Sequence, residues 1–147
     1  ITCRDWSSDV CSSDLGQALS IAMFDIDDFK RINDELGHGA GDKALRLVVG
    51  GGRSGLRQCD PLCRWGGEEF IALLSACDLP GAAAAADKFR ASAADICAAE
   101  GFSGITVSAG VATLRPDETF YALVGRADEA LLLAKKAGKN RTFSAEA

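Results

Sequence analysis

The residues best suited to chemistry lie in the segment 64–70, where two glycines are followed by two adjacent glutamates. The short run 62–65 and the apolar run 70–74, joined through Gly66 and Gly67, are typical of a β-hairpin with a glycine turn. A turn without side chains lets a bulky anion approach the backbone, and neighbouring carboxylates can bind a divalent metal. The segment therefore indicates a phosphate and metal site, although taken alone it is more typical of a solvated turn with two surface glutamates.

A second group of carboxylates follows the apolar run 20–24. A nearly continuous apolar run is typical of a central strand that is covered on both faces. Asp25, Asp27 and Asp28 come where this strand would leave the core, a position from which carboxylates can bind a metal. Asp27 or Asp28 could instead cap the helix that is predicted to follow, and both interpretations stay open.

A third group is basic and lies around the end of the last predicted helix, which Gly138 is expected to terminate. The basic side chains of this group are Lys135, Lys136, Lys139 and Arg141. Positive charge in this position can interact with the helix dipole, or it can bind a polyphosphate.

The composition is that of one globular domain, with 147 residues, 48% hydrophobic and 25% charged. The formal net charge of −5 argues against nonspecific binding of nucleic acid, which needs a basic surface. No apolar run reaches the length of a membrane span, so we expect no membrane contact by this domain. We expect a cytoplasmic location, even if a parent protein is membrane-anchored.

The elements needed to position these groups form an α+β fold with a mostly antiparallel central sheet flanked by helices. Asp42 is expected to cap the second helix, and the three glycines 50–52 are expected to fray or bend it. The predicted order is strand 20–24, helix 29–36, helix 42–56, hairpin strands 62–65 and 70–74, helix 80–99, strand 105–112, helix 117–136 and a short strand 141–143.

The first residues are unlike the rest of the chain. Residues 1–15 contain a short polar near-repeat without the apolar period of a strand or a helix. The segment 5–15 also resembles one translated frame of a common DNA-sequencing adapter. We therefore expect residues 1–18 to be a non-native or disordered tail, which is excluded from the prediction of the fold.

Together, these segments resemble the GGDEF domain of diguanylate cyclases, with the signature in its GGEEF form at 66–70. The resemblance extends from about Leu19 to the C-terminus, and the order of its blocks makes it far more specific than the hairpin alone. It implies that residues 19–147 form a GGDEF catalytic domain that lacks the usual N-terminal helix. The matching blocks are FDIDDFK at 24–30, IND at 32–34, GHGAGD at 37–42, CRWGG at 63–67, VSAGVA at 107–112, ADEAL at 127–131 and AKKAGKNR at 134–141.

The resemblance implies condensation of two GTP molecules into cyclic di-GMP, with release of two pyrophosphates. Each 3′-hydroxyl would attack the α-phosphate of the other nucleotide. Mg²⁺ (or Mn²⁺) would polarise the phosphates and lower the pKa of the hydroxyl, and a base would take its proton. Because one domain carries half of the site, catalysis would need a homodimer with two-fold symmetry.

The family's metal and catalytic positions are also implied. Asp25, the carbonyl of Ile26 and Glu69 would ligate the metal. Glu68 would act at the metal or as the catalytic base, and the sequence does not divide these two roles.

The substrate-binding positions follow from the same resemblance. Asn33 and Asp42 would recognise the guanine, because an amide and a carboxylate match its acceptors and donors. Gly66 and Gly67 would let the hairpin backbone lie against the nucleotide. The family more often has Arg at Lys139, so a bidentate phosphate contact would be lost there while the charge is kept. The groups that would hold the β- and γ-phosphates are the backbone N–H groups around Asp28 and Phe29 and the side chains of Lys135 and Lys139.

A further match concerns inhibition by the product. Arg57 and Asp60 form an RxxD string just ahead of the hairpin, where the family has its site for inhibitory cyclic di-GMP. Such a string is common by chance, but its placement favours an inhibitory site. A non-catalytic cyclic di-GMP receptor and an inactive fragment remain the alternatives, and the intact hairpin favours the enzyme over the receptor.

Three departures from the family pattern concern stability and GTP binding. A helix and a DxLTGLxNR-like turn normally precede the first strand and help to cover the nucleotide, so we expect this chain to bind GTP poorly. Leu132 stands where the family usually has Tyr, and the glycines 50–52 are unusual in their helix. Both of these differences are expected to affect stability more than chemistry.

Overall fold

The fold is described from a computed structural model, which covers residues 17–146. These residues form a sheet of five strands, β1 (Leu19–Ile26), β2 (Leu62–Arg64), β3 (Glu69–Ser75), β4 (Val107–Thr113) and β5 (Thr142–Ser144). The order across the sheet is β2-β3-β1-β4-β5, and β5 is parallel to β4 while the other pairs are antiparallel. The predicted α+β fold with a mostly antiparallel sheet is confirmed.

Four helices flank the sheet in this part of the chain, namely α1 (Phe29–Leu36), α2 (His38–Arg53), α3 (Leu79–Ala99) and α4 (Phe120–Lys136). The central strand β1 is buried on both faces, as its apolar run predicts. Phe24 belongs to the core shared with α2 and α3, and its ring stacks on that of Phe89 at 4.0 Å between centroids. Ile21 and Met23 belong to the core shared with α4. The end of β1 is therefore held firmly from both sides.

The prediction for α2 was wrong at its start and at its glycines. The helix begins at His38, so Asp42 lies inside it and does not cap it, and it runs through the glycines to Arg53. Gly51 and Gly52 are buried, and a Cβ on Gly52 would lie 2.4 Å from the ring of Phe89. These glycines let α2 approach α3 closely, and this packing outweighs their poor helix propensity.

The start of α1 has no side-chain cap, although a cap was one of the two interpretations left open for Asp27 and Asp28. Asp28 occupies the N-cap position with φ of 55°, in the left-handed region, and its side chain makes no capping hydrogen bond.

The expected tail at 1–18 lies mostly outside the described residues, so that interpretation stays a prediction. Among residues 17–146, no helix combines the length and apolar character needed to cross a bilayer.

Candidate functional site

Strand pairing brings the end of β1 to the hairpin. Asp25 lies opposite Glu69 in the register between β1 and β3, and the backbone N–H of Ile26 donates to the carbonyl of Glu68 over 3.3 Å. Asp25 and Ile26, at the end of β1, therefore meet Glu68 and Glu69 of the hairpin, although the two pairs are distant in the sequence. These are the residues expected to bind the metal.

The hairpin turn is held by hydrogen bonds to its own backbone. The N–H groups of Trp65 and Gly66 donate to the carbonyl of Glu69, over 2.8 and 3.2 Å. The guanidinium of Arg64 donates to the carbonyls of Gly66 and Gly67. A Cβ on Gly66 would lie 2.9 Å from Oε2 of Glu69, so this carboxylate lies close to the turn. The role of Arg64 was missed in the sequence, where its position directly before the turn was the available signal.

Asp25 has one satisfied and one unsatisfied carboxylate oxygen. Its Oδ2 accepts from Nζ of Lys135 over 2.6 Å, whereas its buried Oδ1 has no hydrogen-bond partner within the described part of the chain. Burial raises the pKa of Asp25 to about 6, the bond from Lys135 opposes this rise, and the charges of Glu68 and Glu69 add to it. A buried carboxylate oxygen without a partner, beside two further carboxylates, fits a site that a divalent cation would complete.

The side chains are not arranged as a finished metal centre. Among residues 17–146, no three acidic, histidine or cysteine side chains lie close enough together to hold a metal ion. The ammonium of Lys135 instead balances the charge of Asp25. The fold thus brings the expected ligands to one region through the pairing of β1 with β3.

The basic end of α4 lies beside the end of β1. Lys139 forms an ion pair with Asp28, and the hydrogen bond from Lys139 holds the pKa of Asp28 below its usual value. Lys135 and Lys139 therefore both reach the carboxylates that border the first turn of α1. Their positive charge therefore lies beside the start of α1, and a helix start favours an anion.

The two residues expected to bind guanine lie close to each other on α1 and α2. A Cβ on Gly41 would lie 1.8 Å from Oδ1 of Asn33, so the Asn33 amide rests against the backbone of Gly41. Asp42 follows directly and is exposed. Gly41 was missed as a site residue in the sequence, although only a residue without a side chain leaves room for Asn33 here.

Arg57 and Asp60 form a separate site ahead of the hairpin. Asp60 is almost fully buried, with 2% of its side chain exposed against 50% for Arg57. Its carboxylate accepts from the guanidinium and from the backbone N–H of Arg57, and the guanidinium also donates to the carbonyl of Ser75. Asp60 therefore orients Arg57, which presents its guanidinium to solvent.

The sequence matches the family described as "Diguanylate cyclase, GGDEF domain" over residues 8–141. The chain belongs to this family, and the resemblance found in the sequence is confirmed.

Similar proteins agree with this assignment. The chain is 45% identical over 130 residues to Diguanylate cyclase DgcP of Pseudomonas aeruginosa. The aligned region is 86% of this chain but only 19% of that protein. It is 39% identical to Diguanylate cyclase DgcM of Escherichia coli over 131 residues, or 89% of this chain and 32% of that protein. The chain thus spans less than a third of the length of either relative.

Among solved structures, the active GGEEF domain of a diguanylate cyclase from Vibrio cholerae matches with a TM-score of 0.89 and 32% identity. That match covers 99% of this chain and 97% of the other. The GGDEF domain of DgcB from Caulobacter crescentus, in complex with c-di-GMP, matches with a TM-score of 0.84 and 28% identity, over 98% of this chain and 88% of the other.

Proposed function

We propose that this chain is the catalytic domain of a diguanylate cyclase, which condenses two GTP molecules into cyclic di-GMP and releases two pyrophosphates. The observation that carries the proposal is the strand register, which places Asp25, with its unpartnered oxygen, opposite Glu69 and beside Glu68 of the glycine hairpin. The likeness to the active GGEEF domain over nearly the whole length of both chains supports it.

In this proposal, the guanine of GTP lies near one end of α1 and its phosphates lie near the other. Asn33 and Asp42 recognise the guanine between α1 and α2. Gly66 and Gly67 let the hairpin backbone approach the nucleotide, because their Cα atoms carry no side chain. The β- and γ-phosphates are held by the N–H groups of Asp28 and Phe29 and by the ammonium groups of Lys135 and Lys139.

A divalent ion, Mg²⁺ or Mn²⁺, would be held by Asp25, the carbonyl of Ile26 and Glu69, and would polarise the α-phosphate and lower the pKa of the 3′-hydroxyl. Glu68 either completes this ligand set or accepts the proton of the hydroxyl. Lys135 leaves Asp25 when GTP binds, because a triphosphate offers its ammonium group a more highly charged partner. This exchange frees the second oxygen of Asp25.

Each domain supplies half of the reacting groups, so we propose that two copies face each other as a homodimer during catalysis. The test is incubation of homogeneous protein with GTP and Mg²⁺, with cyclic di-GMP and pyrophosphate measured by chromatography over a range of protein concentrations. We expect the rate to rise more steeply than the protein concentration. GTP binding without cyclic di-GMP at any protein concentration would contradict the proposal. Such a reaction would take place in the cytoplasm, where GTP is available.

We also propose that the product inhibits the enzyme at the Arg57 site. Asp60 fixes the guanidinium of Arg57, whose exposed side can donate to a guanine edge or a phosphate of cyclic di-GMP. The variant Arg57→Ala should lose high-affinity binding of cyclic di-GMP in a calorimetric titration. Unchanged affinity in this variant would exclude the site.

A further inference from the structure

One buried carboxylate has no part in the proposed reaction. Asp27 lies between two proposed site residues of β1 and α1, is only 6% exposed, and accepts three hydrogen bonds. The donors are the hydroxyls of Thr106 and Ser108, both at 2.7 Å, and the backbone N–H of Asn140 at 3.0 Å. Asp27 therefore connects the end of β1 with the start of β4 and with the turn that follows α4.

That turn has an unusual backbone. Lys139 and Asn140 are consecutive residues with positive φ, 64° and 47°, a conformation that costs energy for residues other than glycine. The surroundings hold it in place, since the N–H of Lys139 donates to the carbonyl of Ala134 and Arg90 donates to the side chain of Asn140. Two contacts tie this turn to the proposed phosphate site: the ion pair of the Lys139 side chain with Asp28, and the bond from the backbone N–H of Asn140 to Asp27. The bond to Asp27 is the one that holds the backbone of the turn.

We propose that Asp27 is a positioning residue that holds Lys139 at the phosphate site through the backbone N–H of Asn140. Asp27 directly precedes Asp28 and Phe29, whose N–H groups are proposed to bind the same phosphates. One carboxylate thus fixes the distance between the two halves of the phosphate site, the first turn of α1 and the Lys139 ammonium. This role rests on the proposed function, because it is GTP that both halves would bind.

The variant Asp27→Asn tests this role, because the amide keeps the size of the side chain but loses the negative charge that strengthens the bond from the backbone N–H of Asn140. We expect faster amide hydrogen exchange at 138–141 and about tenfold weaker binding of a non-reactive GTP analogue, from a weakened charged contact. The KM for GTP should rise more than kcat falls. If this variant does not fold, Asp27→Glu, which keeps the charge but displaces the carboxylate, should show the same two changes.

Ser108→Ala is the matched control, because Ser108 donates to Oδ1 of Asp27, whereas the turn donates to Oδ2. It should lower thermal stability while leaving exchange at 138–141 and GTP affinity unchanged. Equal effects of Ser108→Ala and Asp27→Asn on these two readouts would reduce Asp27 to a general structural residue.

A double-mutant cycle with Lys139→Ala separates this route from others. If Asp27 acts through Lys139, Asp27→Asn should weaken GTP binding less than twofold in the Lys139→Ala background. A full tenfold loss in that background would overturn the inference. Weak binding of GTP by the unaltered chain is expected, but if the chain shows no binding of GTP at all, the proposed function itself is wrong. Unchanged exchange at 138–141 in Asp27→Asn would separately refute the positioning role.

Discussion

Asp25 and Asp60 are both buried carboxylates beside a basic side chain, yet the regions around them differ in one respect. Both oxygens of Asp60 accept hydrogen bonds from Arg57. Asp25 accepts one bond from Lys135, and its other oxygen has no partner among residues 17–146. A satisfied buried carboxylate contributes to stability, whereas an unsatisfied one is costly to keep and indicates a site that a ligand completes. Asp60 is thus a completed internal contact that leaves only the exposed side of Arg57 for a ligand, whereas the open oxygen of Asp25 is itself available to a ligand.

The largest effect is expected from Asp25→Asn. This change removes a proposed metal ligand and should lower the rate of cyclic di-GMP formation on the order of a thousandfold, since metal coordination contributes several kcal/mol to such reactions. The free energy of unfolding at pH 7 should not fall, because burial already disfavours the ionised carboxylate. Product formation and urea unfolding measure the two effects. A variant with lost stability and retained activity would reverse the assignment of Asp25.

The same substitution at Asp60 should act mainly on stability. Asp60→Asn replaces one of the two acceptor oxygens that face Arg57 by a donor and should lower the free energy of unfolding by about 2 kcal/mol, because Asp60 is buried while Arg57 is half exposed. Urea unfolding, compared with that of Asp25→Asn, measures this difference. A loss below about 0.5 kcal/mol, the size typical of exposed pairs, would show that Asp60 is not the completed internal contact described here.

The interface of α2 and α3 is a second region that leaves no room for a ligand, because the two helices pack closely against each other. Gly52→Ala should cost about 2 kcal/mol, because its Cβ would overlap the ring of Phe89. Gly50→Ala is the matched control, since a Cβ there meets nothing within 4 Å, and it should stabilise α2 by up to about 1 kcal/mol. Thermal unfolding of both variants checks the opposite signs, and equal shifts would refute the packing role of Gly52.

A smaller effect concerns the pH dependence of stability. The pKa of Asp25 is raised from 3.8 to about 6 in the folded state, so its contribution to stability is complete below 3.8 and is lost as the pH rises through about 6. Relative to Asp25→Asn, the unaltered chain should therefore gain about 1 kcal/mol in unfolding free energy between pH 7 and pH 5. Urea unfolding at the two pH values tests this, and a constant difference would contradict the raised pKa.

Between pH 7 and pH 5, the contribution of the Glu118–Arg126 ion pair to stability should not change. The hydrogen bond from Arg126 lowers the pKa of Glu118 from 4.5 to about 2, so the contribution of Glu118 is present above 4.5 and is lost only as the pH falls towards 2. Acid unfolding below pH 4.5 would report on Glu118, in the direction opposite to that of Asp25.

Those parts of the fold that depend on local pattern could be predicted from the sequence. The apolar run before Asp25 predicted the central strand, and the glycine pair at 66–67 predicted the hairpin. The helix start near Pro80 was also predicted, because proline is tolerated in the first turn of a helix. The structure adds the cap, Asp78, whose side chain accepts a hydrogen bond from the N–H of Gly81. In each case, the signal lies within a few residues of the structure that it predicts.

The rest depends on contacts between distant residues. Gly52 seemed unfavourable in a helix because its partner Phe89 belongs to another element. Asp27 suggested a helix cap, since its actual donors, such as Asn140, lie far along the chain. The ion pair of Asp25 with Lys135 requires the position of α4 relative to β1, which the sequence pattern does not contain.

The most direct measurement is the binding of Mn²⁺ together with a non-reactive GTP analogue, followed by electron paramagnetic resonance. The unaltered chain should bind the ion with its nucleotide, Asp25→Asn and Glu69→Gln should each weaken that binding at least about tenfold, and Asp60→Asn should not. Equal affinity in the unaltered chain and in Asp25→Asn would contradict the proposal that the end of β1 and the hairpin hold a metal beside GTP.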